Sequence, residues 1–137
     1  MCGICGELSL ERDRPVREDA VAAMAATLQH RGPDHGATYR ASSGGLAFGF
    51  RRLSIIDLRT AANQPIGNED GSIQLVFNGE IYNYRELRRD LVANGHVFRS
   101  NADSEVIVHL FEERGEHAID ALDGMFALGI WMPAPKP

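Results

Sequence analysis

Cys2 is the residue with the most chemistry available to it. Trimming of Met1 would put a thiol and a free α-amine on one residue. An α-amine titrates at about 7.7–8.0, which suits a general base near neutral pH. A thiol with a free pKa of about 8.5 needs little help to attack a carbonyl. An N-terminal amine serving its own side chain is a known form of the nucleophile–base pair. Taken alone, the residue is equally readable as a small apolar cysteine in a strand. The run Cys2-Gly3-Ile4-Cys5 is also a CxxC, which raises zinc or redox chemistry. Zinc needs about four ligands. No second cysteine pair exists, and the five histidines (30, 35, 96, 109, 117) are scattered without a metal-like spacing. A redox CxxC opens a helix, whereas this one runs into Glu7-Leu8-Ser9-Leu10, which reads as a strand.

The elements that must position Cys2 follow from patterning. A strand is expected from Gly3 to Leu10. A helix follows on Val21, Met24, Ala25 and Leu28, ending before His30-Arg31-Gly32-Pro33-Asp34. Short strands are expected near Thr38–Arg40, Leu46–Phe50 and Leu53–Ile56, then a turn-rich stretch from Thr60 to Gly71. Ile73–Phe77 reads as a strand running into Asn78-Gly79, a pair most often used as a hairpin turn. A second helix is predicted with Asn83 as cap and Leu87, Leu91 and Val92 as buried face, stopped by Gly95. A third starts near Asp103 or Ser104, buries Val106, Ile107, Leu110 and Phe111, and ends at Gly115. One more helical turn or two is expected over Ala118–Leu122. Gly124–Trp131 is almost wholly apolar and reads as a strand buried on both faces. Strands and helices do not alternate strictly, so layered sheets with outer helices fit better than a doubly wound parallel sheet.

Composition narrows the function classes. The 137 residues are 44% hydrophobic and 24% charged, enough for one domain with a real core. A formal charge of -5 with dispersed basic residues argues against nucleic acid and anionic membranes. Arg85, Arg88 and Arg89 read as a solvated helix face. No apolar run is long enough to span a bilayer, and the N-terminus does not look like a secretory signal, so a cytoplasmic location is expected.

Six fragments occur in order: Cys2-Gly3-Ile4, His30–Asp34, Arg52-Leu53-Ser54-Ile55-Ile56-Asp57, Gln64-Pro65, Asn78-Gly79-Glu80-Ile81-Tyr82-Asn83 and Asp103-Ser104-Glu105-Val106. In that register the chain closely resembles the glutaminase half of glutamine-hydrolysing asparagine synthetases, up to about Trp131. This family consists of class II glutamine amidotransferases with the N-terminal nucleophile hydrolase fold. The resemblance implies an α+β, four-layer αββα sandwich with antiparallel sheets, here incomplete at the C-terminus. Residues 1–131 would be the partial glutaminase domain and 132–137 a proline-rich tail. It also implies that Cys2 attacks the side-chain amide of L-glutamine, releasing ammonia and leaving a γ-glutamyl thioester. Asn78, through its side chain, and Gly79, through its backbone N–H, would form the oxyanion hole. Arg52 would clamp the α-carboxylate, Glu80 and Asp103 would hold the α-ammonium, and Leu53, Ser54, Ile55 and Ile56 would line the pocket mostly through backbone, with side chains in the sheet. Outside the family context, Arg52 is an ordinary surface charge, Glu80 a turn residue and Asp103 a helix N-cap. The role of His30–Asp34 stays open between a site-shaping loop and a helix stop.

The chain departs from the family in two places. Phe50 stands where relatives often carry histidine. After Trp131, the sequence Met132-Pro133-Ala134-Pro135-Lys136-Pro137 cannot extend a strand ladder, so the last strand is expected to be an edge. No cofactor or metal site is expected in this chain; ATP and magnesium are implied only for a synthetase half. The expected partners are L-glutamine and a synthetase domain or subunit that takes the ammonia to an acceptor such as aspartate; a homodimer is compatible. An inactive glutamine-binding module and a small CxxC redox or metal protein are the competing readings. Sugar-phosphate and purine-pathway amidotransferases are cousins of the first reading.

Overall fold

A computed structural model describes residues 1–11 and 13–133. The rest of the proline-rich tail, 134–137, lies outside the described residues. In chain order the elements are β1 (Gly3–Leu8), α1 (Glu18–Thr27), β2 (His35–Arg40), β3 (Leu46–Arg52), β4 (Ile66–Gly67), β5 (Gln74–Ile81), α2 (Tyr84–Ala93), α3 (Glu105–Arg114), a 3-10 turn over Gly115–Ala121, and β6 (Gly124–Trp131).

Two three-stranded antiparallel sheets result, ordered β1-β3-β2 and β4-β5-β6. Strand alternation assigns each residue to a layer. In the first sheet Ala47 shares an apolar cluster with Val16, Val21 and Cys5 under α1, while Phe48 and Phe50 face the second sheet and meet Val76 there. In the second sheet Leu75, Phe77 and Ile81 join Leu91, Val106, Ile107 and Leu110 of the helices on the far side. Helix, sheet, sheet, helices is the expected αββα order. The outer core is the larger one. Burying each Leu, Ile or Phe side chain fully contributes about 1.5–3 kcal/mol, so this outer cluster contributes more to the frame than the inner one.

Several local expectations are corrected. Leu53–Ile56 is not a strand and its side chains are not in a sheet: the Arg52 carbonyl accepts from Asp34 N–H, the ladder stops there, and Ile55 and Ile56 are exposed. Asn83 makes no side-chain cap; its amide instead donates to the Ala121 carbonyl and its Oδ1 accepts from Asp123 N–H, pinning α2 to the approach of β6. Val92 is exposed, whereas Leu91 is buried. Asp103 does not cap α3, since its Oδ2 accepts from Ile81 N–H on β5. Arg88 is not solvated: it donates to the Ser100 carbonyl and lies over the Phe98 ring. β6 is half-buried rather than buried on both faces: among the described residues it sits at an edge of its sheet, as expected, and Met125 is exposed at the cavity. The strand expected to end at Phe77 runs on through Asn78-Gly79, which lie within β5 opposite Ala127 and Phe126.

Candidate active site

Strand parity separates the two cysteines. Cys2 packs with the inter-sheet cluster of Phe48, Phe50 and Val76, and Cys5 packs on the opposite face, under α1. Residues three apart on a strand point to opposite sides. The pair therefore does not act as one CxxC site. Burial pushes the Cys5 thiol pKa up, although the Gly49 backbone opposes this.

At the end of the sandwich where β1 begins and β3 ends, a cavity of about 460 Å³ opens. Its wall brings together Cys2, Arg52, Leu53, Asn78, Gly79, Glu80 and Asp103, along with Ile55 and Ile56. Ser54 is not on that wall; it is partly buried and its N–H donates to Asp34 Oδ2 at 2.7 Å. Met1 also lines the cavity and is largely exposed.

The Cys2 sulfur is held by the backbone of Leu53, whose N–H points to Sγ at 3.4 Å and whose carbonyl lies 3.7 Å away. Leu53 is placed by the loop before β2. Arg31 Nε donates to the Cys2 carbonyl (3.1 Å), Arg51 Nε donates to the Gly32 carbonyl (2.9 Å), and Pro33 bridges Arg52. A Cβ on Gly32 would run into the Arg51–Arg52 backbone. The His30–Asp34 segment is thus a brace for the neighbourhood of Cys2 and not merely a helix stop.

Arg52 is buried, and its guanidinium donates to the carbonyls of Asp57 and Arg59 and to Asn63 Oδ1. Of the five N–H donors of an arginine, these bonds leave two over. Asp57, buried beside it, accepts from Arg59 and from Asn101 N–H at 2.7 Å. These donors hold its carboxyl well below the usual range. Asp57 therefore ties the 53–63 loop to the 98–103 loop, two walls of one cavity.

Asn78 and Gly79 reach the cavity because β5 continues past its pairing with the short β4 and remains paired with β6. Gly79 has φ +149°, and a Cβ there would fall on the Met125 carbonyl oxygen, so glycine is required. Gln64 Oε1 accepts from Phe77 N–H at 2.6 Å, fixing the strand just before this pair. Beyond it, Glu80 is exposed and Asp103 is buried. Burial raises the Asp103 carboxyl, and the negative charge of Glu80 adds to the rise. Two carboxyls so disposed favour a cationic guest between them.

Sequence reading missed Asp57, Asn63, Gln64 and Arg31 as working parts. Arg31, Asp57 and Gln64 stand within the six fragments, but their partners lie in other chain segments. It also dismissed the histidines, two of which, His96 and His109, are brought together with ring centroids 4.9 Å apart.

Residues 1–136 match the family described as "Glutamine amidotransferase domain". Among curated proteins, the chain is 44% identical over 133 residues to "Asparagine synthetase [glutamine-hydrolyzing] 2" of Bacillus subtilis, a match that takes in 96% of this chain and 17% of the relative. It is 44% identical, again over 96% of its length, to "Probable asparagine synthetase [glutamine-hydrolyzing]" of Dictyostelium discoideum, of which it covers 23%. The chain thus spans about a fifth of the length of these relatives. Among solved structures, the glutamine phosphoribosylpyrophosphate amidotransferase from B. subtilis, complexed with ADP and GMP, superposes with a TM-score of 0.71 at 20% identity, over 96% of this chain and 34% of that one, a likeness of fold.

Proposed function

This chain belongs to the family of class II glutamine amidotransferase domains, and from that premise we propose that it hydrolyses L-glutamine to L-glutamate and ammonia with Cys2 as nucleophile. The observation that carries the reading is the convergence of Cys2, Arg52, Asn78-Gly79, Glu80 and Asp103, from separate chain segments, on one cavity.

In this reading Met1 is removed and the Cys2 amine takes the thiol proton as sulfur attacks the γ-carboxamide carbon. Negative charge collects on the amide oxygen, where the Asn78 side-chain amide and the Gly79 N–H serve as donors. The C–N bond breaks, the α-ammonium returns its proton to the leaving nitrogen, and ammonia departs from a γ-glutamyl thioester. Water, deprotonated by the same amine, attacks the thioester and frees glutamate and the thiol. The two remaining donors of Arg52 take the substrate α-carboxylate, and Glu80 with Asp103 takes the α-ammonium. Leu53 contributes backbone, and Ile55 and Ile56 form an apolar wall.

Ammonia then passes to a synthetase unit that amidates an acceptor such as aspartate; ATP and magnesium belong to that unit. The relatives named as asparagine synthetases support this choice of acceptor. The test is release of glutamate and ammonia from glutamine by the purified chain, alongside the intact mass of its N-terminus. Turnover by Cys2→Ala equal to that of the parent, or turnover with Met1 retained, overturns the mechanism. Glutamine binding without turnover would make the chain a binding module instead.

A further inference from the structure

We propose that Glu69, His96, His109 and Glu112 form a binding site for one zinc-like divalent cation, outside the glutamine cavity. None of the four lines that cavity. They come from the turn after β4, the loop after α2, and α3, where His109 and Glu112 occupy neighbouring turns of one helix face.

One ligand atom from each residue lies within 4.8 Å of all the others. His96 Nδ1 is 3.1 Å from Glu69 Oε1 and 3.9 Å from Glu112 Oε2, and His109 Nδ1 is 3.2 Å from Glu69 Oε2. Zinc bonded at about 2.0–2.2 Å in a tetrahedron sets its ligand atoms about 3.3–3.6 Å apart. The printed spacings, two of them to different oxygens of Glu69, lie close to that value, and Glu112, the most exposed of the four, can close in and leaves an entry path.

His109 supplies the independent observation. Its ring is 1% exposed, yet neither ring nitrogen makes a hydrogen bond. A buried imidazole so placed, with Nδ1 turned toward a carboxylate oxygen it does not hydrogen-bond, is short of a partner. The outer nitrogens of both histidines face carboxylates: His96 Nε2 lies 3.2 Å from Glu113 Oε1, and His109 Nε2 lies 3.5 Å from Glu105 Oε1. Glu105 is itself fixed by the N–H groups of Arg99 and Ser100. Metal-bound histidines present their second nitrogen to carboxylates in this way. Asn68 Nδ2 donates to Glu112 Oε2, and Val97 N–H donates to Glu69 Oε1, orienting both acidic ligands. Four carboxylates around two imidazoles also leave excess negative charge, while the nearby Arg99 guanidinium is engaged by the carbonyls of Asn68 and Glu69. Two imidazoles with two carboxylates suit zinc better than magnesium, which prefers six oxygens. With four protein ligands the site is structural: it clamps two loops to α3, the helix that begins beside Asp103 and Ser104.

The experiment is calorimetric titration of zinc chloride into the chelator-treated full chain, with thermal unfolding followed in parallel. One equivalent should bind and raise the melting temperature by several degrees, and magnesium should do neither. Glu112→Gln, a surface change, should weaken zinc at least about tenfold, and adding His96→Asn should remove it. A Cys2→Ser/Cys5→Ser chain should bind zinc as the parent does, and cobalt(II) should show d–d bands without a thiolate charge-transfer band. If the His96 variant does not fold, as read by circular dichroism, Glu112→Gln and the cobalt spectrum decide. The proposal is overturned by no stoichiometric uptake, by an equal response to magnesium, by Glu112→Gln binding zinc as tightly as the parent, or by zinc lost with the cysteines.

Discussion

Cys2 stands just before β1 and Cys5 within it, yet the two sides of this segment give them opposite surroundings. Cys2 opens into a cavity with a backbone N–H at its sulfur and a guanidinium, an amide and two carboxyls on the same wall. Cys5 lies against Val21 and Ala47 under α1, its sulfur 3.8 Å from the Val21 carbonyl. His96 and His109 reverse the lesson: they are separated in the chain, yet the packing of the α2–α3 connection on α3 brings their rings together, tilted at 46°. Spacing along a chain has chemical meaning only after the element's period has been applied to it.

The largest effect that can break this contrast is Cys2→Ala, which should lower glutamine turnover by about a thousandfold or more, while Cys5→Ala stays within about twofold. Glutamate release by both variants is the measurement, and comparable losses would remove the distinction between the faces. Asn78→Ala should come next, lowering kcat by about 10²–10³ with a smaller change in KM if its amide acts on the transition state. Gly79→Ala tests the cavity side by stability. Its Cβ would overlap the Met125 carbonyl, so chemical denaturation should show a loss of about 1–3 kcal/mol or more.

Acid stability follows from Asp57. Its carboxyl titrates lower in the folded chain than in the unfolded one, because Arg59 and the Asn101 N–H favour the charged form. Its contribution is therefore whole above the unfolded value of about 3.9 and is lost as pH falls below it. Asp57→Asn should flatten the fall in urea midpoint between about pH 6 and about pH 3. An unchanged slope would mean that the tie between the two cavity loops carries little. The smallest effect is kinetic. Burial raises the Cys5 thiol pKa, so at neutral pH it should react with iodoacetamide more slowly than Cys2, and the gap should narrow as pH rises. Peptide mass mapping of the labelled chain reads this directly.

The parts of the fold legible in sequence are those governed by local periodicity and punctuation. α3 ends at Gly115 with φ +57°, as a helix-stopping glycine should, and the buried side of α3 carries Val106, Ile107 and Leu110. Local patterning also placed β1 and the first half of β5, though their ends differ by two and four residues from the expected Leu10 and Phe77. What was misread depended on partners elsewhere. Asn83 had the spacing of a cap, but the approach to β6 offers its amide a carbonyl and an N–H at once. Asp103 had the place of an N-cap, but Ile81 N–H at the end of β5 claims its carboxylate. The apolar run of β6 looked doubly buried, yet one of its faces turns Met125 and Ala127 to the cavity.

Sequence by itself determined that a thiol stands one residue from the start, that Asn-Gly-Glu follows a strand, and that the fragments run in a family's order, because these are matters of covalent sequence and short-range period. Only the tertiary structure decided that Asp57 joins two walls, that residues 30–34 brace Leu53, that Cys5 is excluded from the cavity, and that Glu69, His96, His109 and Glu112 meet. Those outcomes depend on which strand faces which and how loops close over them, and pairings between distant segments are set by packing the whole chain at once.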